Sequence, residues 1–344
     1  MLDPTLPIAI YAEATMGSLN AKMAEGILRY GRNPVVAVID STQTGKTVRD
    51  LCPMASDVPL VGTLEAARAL GARVLVLGTA PSGGRVPPEW MAMLRAAVAG
   101  GLSIVNGMHD RLEPVLGGDL RAGQFIWDVR VPQVDMPPIA MGRAAALQNR
   151  RVLMVGTDMA IGKMTAGLEL TRSLRDRGHD AAFLATGQTG IAITGVGIPL
   201  DAVRVDHAAG MVERMVMEAA AHEVVVIEGQ GSLLHPGSTA TLPLMRGSAC
   251  NAMVLCHRAG MAVLDTLSET RVPPLCDVIA LNEAVACAAG ALTRARVRAI
   301  ALNTARLSAQ EAEAAIRRTE DETGLPVADP VRNGAATLAA AVMG

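Results

Sequence analysis

One stretch constrains this chain more than any other. A strand-length apolar run, Val152-Leu153-Met154-Val155, passes directly into Gly156-Thr157-Asp158-Met159-Ala160-Ile161-Gly162-Lys163-Met164-Thr165 and then into a helical pattern ending near Arg177. A glycine turn between a buried strand and a helix offers consecutive backbone N–H groups to an anion, and a Lys ammonium can close over it. The chain has only three lysines, Lys22, Lys46 and Lys163, among 31 Lys plus Arg. A compact ammonium in such a turn, in a chain that otherwise uses Arg, points to a phosphate contact. The pattern departs from G-x-x-x-x-G-K-[ST] twice. The first glycine lies one residue farther upstream, and Met164 stands where a Mg-binding hydroxyl is usual, leaving Thr165 as the nearest hydroxyl.

Around this turn, short Val/Ile/Leu runs alternate with longer Ala-rich amphipathic stretches, which is the pattern of βαβ units around a parallel sheet covered on both faces. Strands are expected over 8–11, 35–39, 74–77 and 103–105, then over 152–155, 181–185, 224–227, 253–256, 278–281 and 297–301. Helices are expected over 20–30, 64–70, 89–99, 163–177, 208–221 and 309–318, with a last packed helix at the Ala-rich C-terminus. Pro132, Pro137 and Pro138 break any regular element over 131–148. At 344 residues the length suits about two domains. The expected division is 1–135 and 136–344.

Bulk properties remove several function classes. A net charge of -2 and 2% aromatic residues give neither long-range attraction to a polyanion nor stacking platforms, so no nucleic-acid partner is expected. Mean hydropathy is +0.31, but no run approaches the ~20 apolar residues of a membrane span, so no membrane partner is expected. The N-terminus lacks a basic region followed by a long apolar one. Five cysteines without a C-x-x-C pair suit reduced thiols in a cytoplasm, with neither a disulfide framework nor a metal site.

Two further glycine turns follow expected strands of the second domain. Glu228-Gly229-Gln230-Gly231-Ser232-Leu233-Leu234-His235-Pro236 follows one, and Thr186-Gly187-Gln188-Thr189-Gly190 the other. An acid at the carboxyl end of a neighbouring strand can hold Mg or orient a nucleophile beside a phosphate, and ligands of such sheets bind at their carboxyl ends. The expected ligand-binding residues are therefore Gly156, Thr157, Asp158, Gly162, Lys163, Met164, Thr165, Gly187, Gln188, Gly229 and Gly231. In the first domain 41–47 looks like half a phosphate loop, with Asp40 where the upstream glycine belongs, and reads as a ligand-facing or interdomain loop. The turn 78–84 is a weaker candidate. The six histidines show no metal spacing: His179 reads as a surface turn residue, while His109, His207, His235 and His257 lie in loops or at strand ends.

With these residues in view the chain resembles the DgcN-type D-glutamate N-acetyltransferase family, long catalogued as of unknown function. The resemblance rests on Gly-Thr-Asp-x-x-x-Gly-Lys-Met-Thr at 156–165, Gly-Gln-Thr-Gly at 187–190, Glu-Gly-Gln-Gly-Ser-Leu-Leu-His-Pro at 228–236 and Leu-Cys-His at 255–257. It extends to Asp40-Ser41-Thr42, Gly45-Lys46, Ala80-Pro81-x-Gly83-Gly84, Asn106-Gly107-Met108-His109 and Trp127-Asp128-Val129-Arg130, and so covers essentially the whole chain. It implies an α/β protein with an N-terminal Rossmann-like sheet and a C-terminal P-loop NTPase-like sheet. It also implies D-glutamate and acetyl-CoA as substrates. The Gly-Thr-Asp...Gly-Lys and Glu-Gly pair is similar to dethiobiotin synthetases as well, where a Thr follows the Lys directly.

Acetyl transfer needs a neutral attacking amine, hence a general base, and donors for the developing oxyanion. His235 and Glu228 are the expected proton acceptors, with His207 and Asp206 behind them, and backbone N–H groups over 229–231 the expected oxyanion donors. CoA phosphates can sit in the turn at Lys163 without hydrolysis; Mg is compatible with the site but is not required by the pattern. The competing readings are a Mg-ATP-dependent kinase or ligase of a small carboxylate and a non-catalytic nucleotide sensor. A homo-oligomer is the expected assembly.

Overall fold

The computed structural model describes residues 2–52, 54, 56–79, 81, 83–132 and 137–344. The motif residues Ala80 and Ser82 and the expected domain boundary at 135/136 lie outside the described residues. The chain forms two compact units, Met1–Gln133 with Gln188–Ala202, and Val134–Gly187 with Val203–Gly344.

In the first unit the elements run β1 (Ile8–Tyr11), α1 (Lys22–Tyr30), β2 (Val35–Ile39), β3 (Leu60–Val61), α2 (Leu64–Ala69), β4 (Val74–Leu77), α3 (Trp90–Ala99), β5 (Ser103–Asn106), α4 (Glu113–Leu116) and β6 (Ile126–Asp128). All strand pairs are parallel, in the order β3-β2-β1-β4-β5-β6. This is the doubly wound Rossmann order, with its switch point between β1 and β4. The strands are continuous apolar runs because helices cover both faces: β1 and β4 are buried at every position. Aromatics are few, and Tyr11 and Trp90 meet edge to face at 5.0 Å, so aliphatic packing carries the core. Asn106 and Asp128 of the family motifs are structural. The Asn106 amide donates to Asp128 Oδ1 (2.8 Å), and the Asp128 carboxylate receives the N–H groups of Leu112 and Glu113 at the start of α4.

The second unit continues with β7 (Arg150–Gly156), α5 (Lys163–Asp176) and β8 (Ala181–Leu184). Next in the chain comes α6 (Gln188–Thr194), which groups with the first unit and packs on α1. Then follow α7 (Val205–Glu218), β9 (Val224–Ile227), α8 (Thr241–Ser248), β10 (Ala252–Arg258), β11 (Val263–Leu264), β12 (Leu267–Arg271), α9 (Leu275–Cys287), β13 (Arg296–Asn303), α10 (Ala309–Thr323), β14 (Val327–Ala328) and α11 (Ala336–Met343). The main sheet is parallel, β14-β13-β10-β7-β9-β8. β11 and β12 form a separate antiparallel hairpin. Among the described residues no helix is long and apolar enough to cross a membrane.

One expected element is wrong in kind. The run 278–281 is not a strand but the middle of α9, whose buried residues Leu275, Val278, Asn282 and Ala286 recur at helical spacing. A four-residue apolar run cannot distinguish the two, and the period over twelve residues decides.

Two buried charges brace the second unit away from the glycine turns. Arg151 on β7 is 1% exposed and is held entirely by oxygens of the chain: it donates to Ala249 O, Leu147 O, Asn149 O and Asn149 Oδ1. Glu213 on α7 is fully buried. Its carboxylate receives Met141 N at 3.0 Å, Arg143 N at 2.6 Å and Arg143 Nε at 3.3 Å, which pins the segment entering the unit.

Candidate functional site

The central strand of the second sheet, β7, ends in Gly156, and its turn leads to α5. Gly162 has φ +110°, a conformation that side-chain-bearing residues avoid, and it turns the chain so that Lys163 begins the helix. Lys163 is 4% exposed. Its Nζ donates to Asp158 O at 2.6 Å and Met159 O at 2.7 Å, so the ammonium lies across the inside of the turn. Thr157 is buried and its Oγ1 shares a hydrogen with His257 Nδ1 at 3.0 Å. Met164 is buried at 7% exposure and packs inward, while Thr165 is half-buried in the first helical turn.

Neighbouring strands bring further groups to the turn. Glu228 directly follows β9, and its Oε2 receives Thr186 N at 2.8 Å and Gly187 N at 3.0 Å, the residues that follow β8. Thr186 Oγ1 donates back to Glu228 O. Two backbone donors on one oxygen fix the carboxylate's orientation. Gly229 lies against Met154 O of β7, and a Cβ there would also meet Lys163 Cδ at 2.9 Å; only glycine allows the two loops to come this close. Gly231, with φ +69°, starts the turn in which Ser232 N donates to Ser238 Oγ and Thr241 Oγ1 donates to Gln230 O.

His235 is 7% exposed and sits in one tautomer. Its Nδ1 accepts from Gly237 N at 3.1 Å, so the ring hydrogen is on Nε2 and is directed at Thr266 Oγ1, 3.0 Å away. On the other side of β7, burial and then the neighbouring Arg258 charge push His257 down to about 4, so its imidazole is neutral at pH 7. Among the described residues no three His, Cys, Asp or Glu side chains are placed to hold a metal ion.

The structure thus brings Gly156, Thr157, Asp158, Gly162, Lys163, Gly187, Glu228 and Gly229 to the carboxyl ends of three adjacent strands. Two other expected residues sit at helix starts. Gln188 opens α6 in the first unit, with its side chain near Gly107. His207 is in the first turn of α7, and its Nδ1 is buried with no hydrogen-bond partner among the described residues. In the first unit, Lys46 Nζ donates to Gln43 Oε1 at 2.7 Å and Asp40 caps its own loop through Thr42. His179 pairs with Glu223 as a turn residue.

Sequence reasoning missed the hairpin between β11 and β12. Its two-residue tip is Asp265-Thr266: Asp265 N donates to Asp158 Oδ2 at 2.9 Å, the Asp265 carboxylate grips Arg258, and Thr266 contacts His235. Asn303, last in β13, donates to Ile161 O at 3.2 Å. Arg258 could have been found, since it directly follows the Leu-Cys-His motif at the end of β10. Asp265 lies 107 residues from Asp158, and no local pattern links them.

A Rossmann-ordered sheet and a second parallel sheet with a lysine-bearing glycine turn define a two-domain α/β protein of the P-loop class. The chain belongs to the DUF1611 family: residues 41–132 match its N-terminal Rossmann-like domain and residues 138–339 its C-terminal P-loop domain, both described as domains of unknown function. Two relatives carry the name D-glutamate N-acetyltransferase. One, from Tritonibacter scottomollicae, is 39% identical over 80% of this chain and 83% of its own. The other, from a Pseudoalteromonas species, is 32% identical over 84% of this chain and 86% of its own. A crystal structure of a DUF1611 family protein from Anabaena variabilis is 47% identical, with a TM-score of 0.95 over 98% of this chain and 99% of that one.

Proposed function

We propose that this chain is a D-glutamate N-acetyltransferase that uses acetyl-CoA as the acetyl donor. The observation that carries the reading is the 39% identity, over 80% of the chain, to a relative of that name. The site supports it: a turn with inward-facing Lys163 suits the phosphates of coenzyme A, and a buried Met164 beside that lysine suits anion binding without a hydroxyl ligand for Mg-ATP.

In this reaction the amine of D-glutamate attacks the thioester carbonyl, the N–C bond forms, the C–S bond breaks, CoA leaves as the thiolate and the nitrogen loses a proton. We assign proton removal to Glu228, whose carboxylate is oriented by two backbone donors beside the phosphate turn. His235 has its basic nitrogen engaged by Gly237 N–H, so it acts as a positioning residue that ties its loop to the Thr266 hairpin. Backbone N–H groups over 229–231 serve as oxyanion donors.

The test is to incubate the purified protein with D- or L-glutamate and either acetyl-CoA or Mg-ATP. Thiol release with D-glutamate and acetyl-CoA alone is expected. ADP formation would overturn the reading in favour of a kinase or ligase, and no turnover with either donor would leave a ligand sensor. Glu228→Gln is expected to lower kcat by about 10²-fold or more; unchanged turnover would remove Glu228 as the base.

A further inference from the structure

Arg258 ends β10, the strand next to β7. It is 8% exposed and its guanidinium grips Asp265 with both arms, Nη1 to Oδ1 at 2.7 Å and Nη2 to Oδ2 at 2.6 Å. The same Nη2 reaches Ala160 O, at the apex of the phosphate turn, at 3.5 Å. Lys163 Nζ contacts Asp158 O and Met159 O of that turn. Two buried cations therefore converge on three consecutive carbonyls.

The two members of the ion pair are unlike. The burial of the Arg258 guanidinium requires a counter-anion. The Asp265 side chain is 40% exposed on a two-residue hairpin tip, so it can turn to water once another anion takes its place on the guanidinium. The fork that Arg258 presents to a carboxylate is equally the fork that binds a phosphate, and a phosphate group brings more oxygens. With Asp265 in place the guanidinium is paired with its carboxylate; with Asp265 turned away, the fork of Arg258 is open to another anion beside the Lys163 ammonium.

We propose that Arg258 is the second cation of the phosphate site and that Asp265 competes with a CoA phosphate for it. The proposal rests on the reading of 156–165 as the turn that binds CoA, and the experiment separates the two. Calorimetric titration with CoA is run on the wild type, Asp265→Asn, Arg258→Met, Arg258→Lys, the Asp265→Asn/Arg258→Met double variant and Lys163→Met. Asp265→Asn keeps the backbone donor to Asp158 and removes only the competing charge, so CoA affinity is expected to rise about three- to tenfold. Arg258→Met is expected to weaken it at least about tenfold, with Arg258→Lys between, and the double variant should match Arg258→Met, because without the guanidinium there is nothing to compete for. Unchanged or weaker CoA binding in Asp265→Asn overturns the competition. A rise in the KM for D-glutamate with unchanged CoA affinity in Arg258→Met overturns the phosphate role and assigns the guanidinium to a substrate carboxylate. Unchanged CoA binding in Lys163→Met defeats the underlying reading instead.

Discussion

Glu213→Gln tests whether the buried carboxylate on α7 holds the entering segment in the way its geometry requires. In the native protein three donors converge on two oxygens, from Met141 N, Arg143 N and Arg143 Nε. Arg143 has a side chain 56% exposed, so its ion pair contributes little; the two backbone bonds dominate. A glutamine preserves shape but leaves one acceptor oxygen and sets an NH2 against a backbone N–H. Replacing charged by neutral acceptors costs about 1 kcal/mol per bond, and an unsatisfied buried N–H costs about 1–3 kcal/mol. The expected loss is about 2–4 kcal/mol, or about 5–12 °C in the melting transition of a unit of this size. Calorimetry checks it. Burial alone would raise the carboxyl's pKa, but the Met141 and Arg143 donors outweigh it, and Glu213 lies below its ordinary value of 4.5. A depressed folded pKa gives stability that is complete above the unfolded value and lost as pH falls through the folded one. The gap between wild type and variant should therefore be constant from pH 6 to 8 and narrow below about 4.5. A loss under about 1 kcal/mol at pH 7, or a gap that widens on acidification, would refute the reasoning.

His257 supplies a second pH signature. Its folded pKa of about 4 lies below the ordinary 6.5, so the unfolded chain binds more protons between those values. The His257 contribution to stability rises with pH across that window, by up to about 3 kcal/mol, and is flat above it; His257→Gln should reduce the slope in denaturant titrations at pH 4.5, 5.5 and 7.5. Gly229→Ala forces a methyl against Met154 O and Lys163, and kcat/KM is expected to fall by about 10²-fold or more. Steady-state kinetics showing near-wild-type activity in that variant would mean that the close approach of the two loops is dispensable.

What could be read in advance followed from local physics. The run 152–155 and the glycines at 156 and 162 carry their structure in their neighbours, and the strand, turn and helix lie where that pattern sets them. The run 278–281 failed because Val-Ile-Ala-Leu suits either a buried strand or a buried helix turn. The β11–β12 hairpin escaped because β12 is largely exposed and shows no alternation against a core. At the site, Lys163 and Glu228 were legible as residue types at strand ends. The bonds from Asp265 to Asp158 and Arg258, and from Thr266 to His235, were not, because they join segments whose proximity depends on the order of strands in the sheet. The His235 tautomer likewise depends on a turn, Gly237 N–H to Nδ1, that spacing alone does not reveal.

The grouping of 188–202 with the first unit bears on how such a gene can be cut or shuffled. The chain passes from one unit to the other after Gln133, after Gly187 and again after Ala202, so no single break separates the two. A polypeptide ending at residue 133 would lack α6 and bare the side of α1 that it covers; the complementary piece would carry α6 without α1. Fission at the linker would produce two unsatisfied halves, and exchange of either half between diverged relatives would mismatch α1 with a foreign α6. A cut after residue 133 therefore parts α1 from α6 along with the two units.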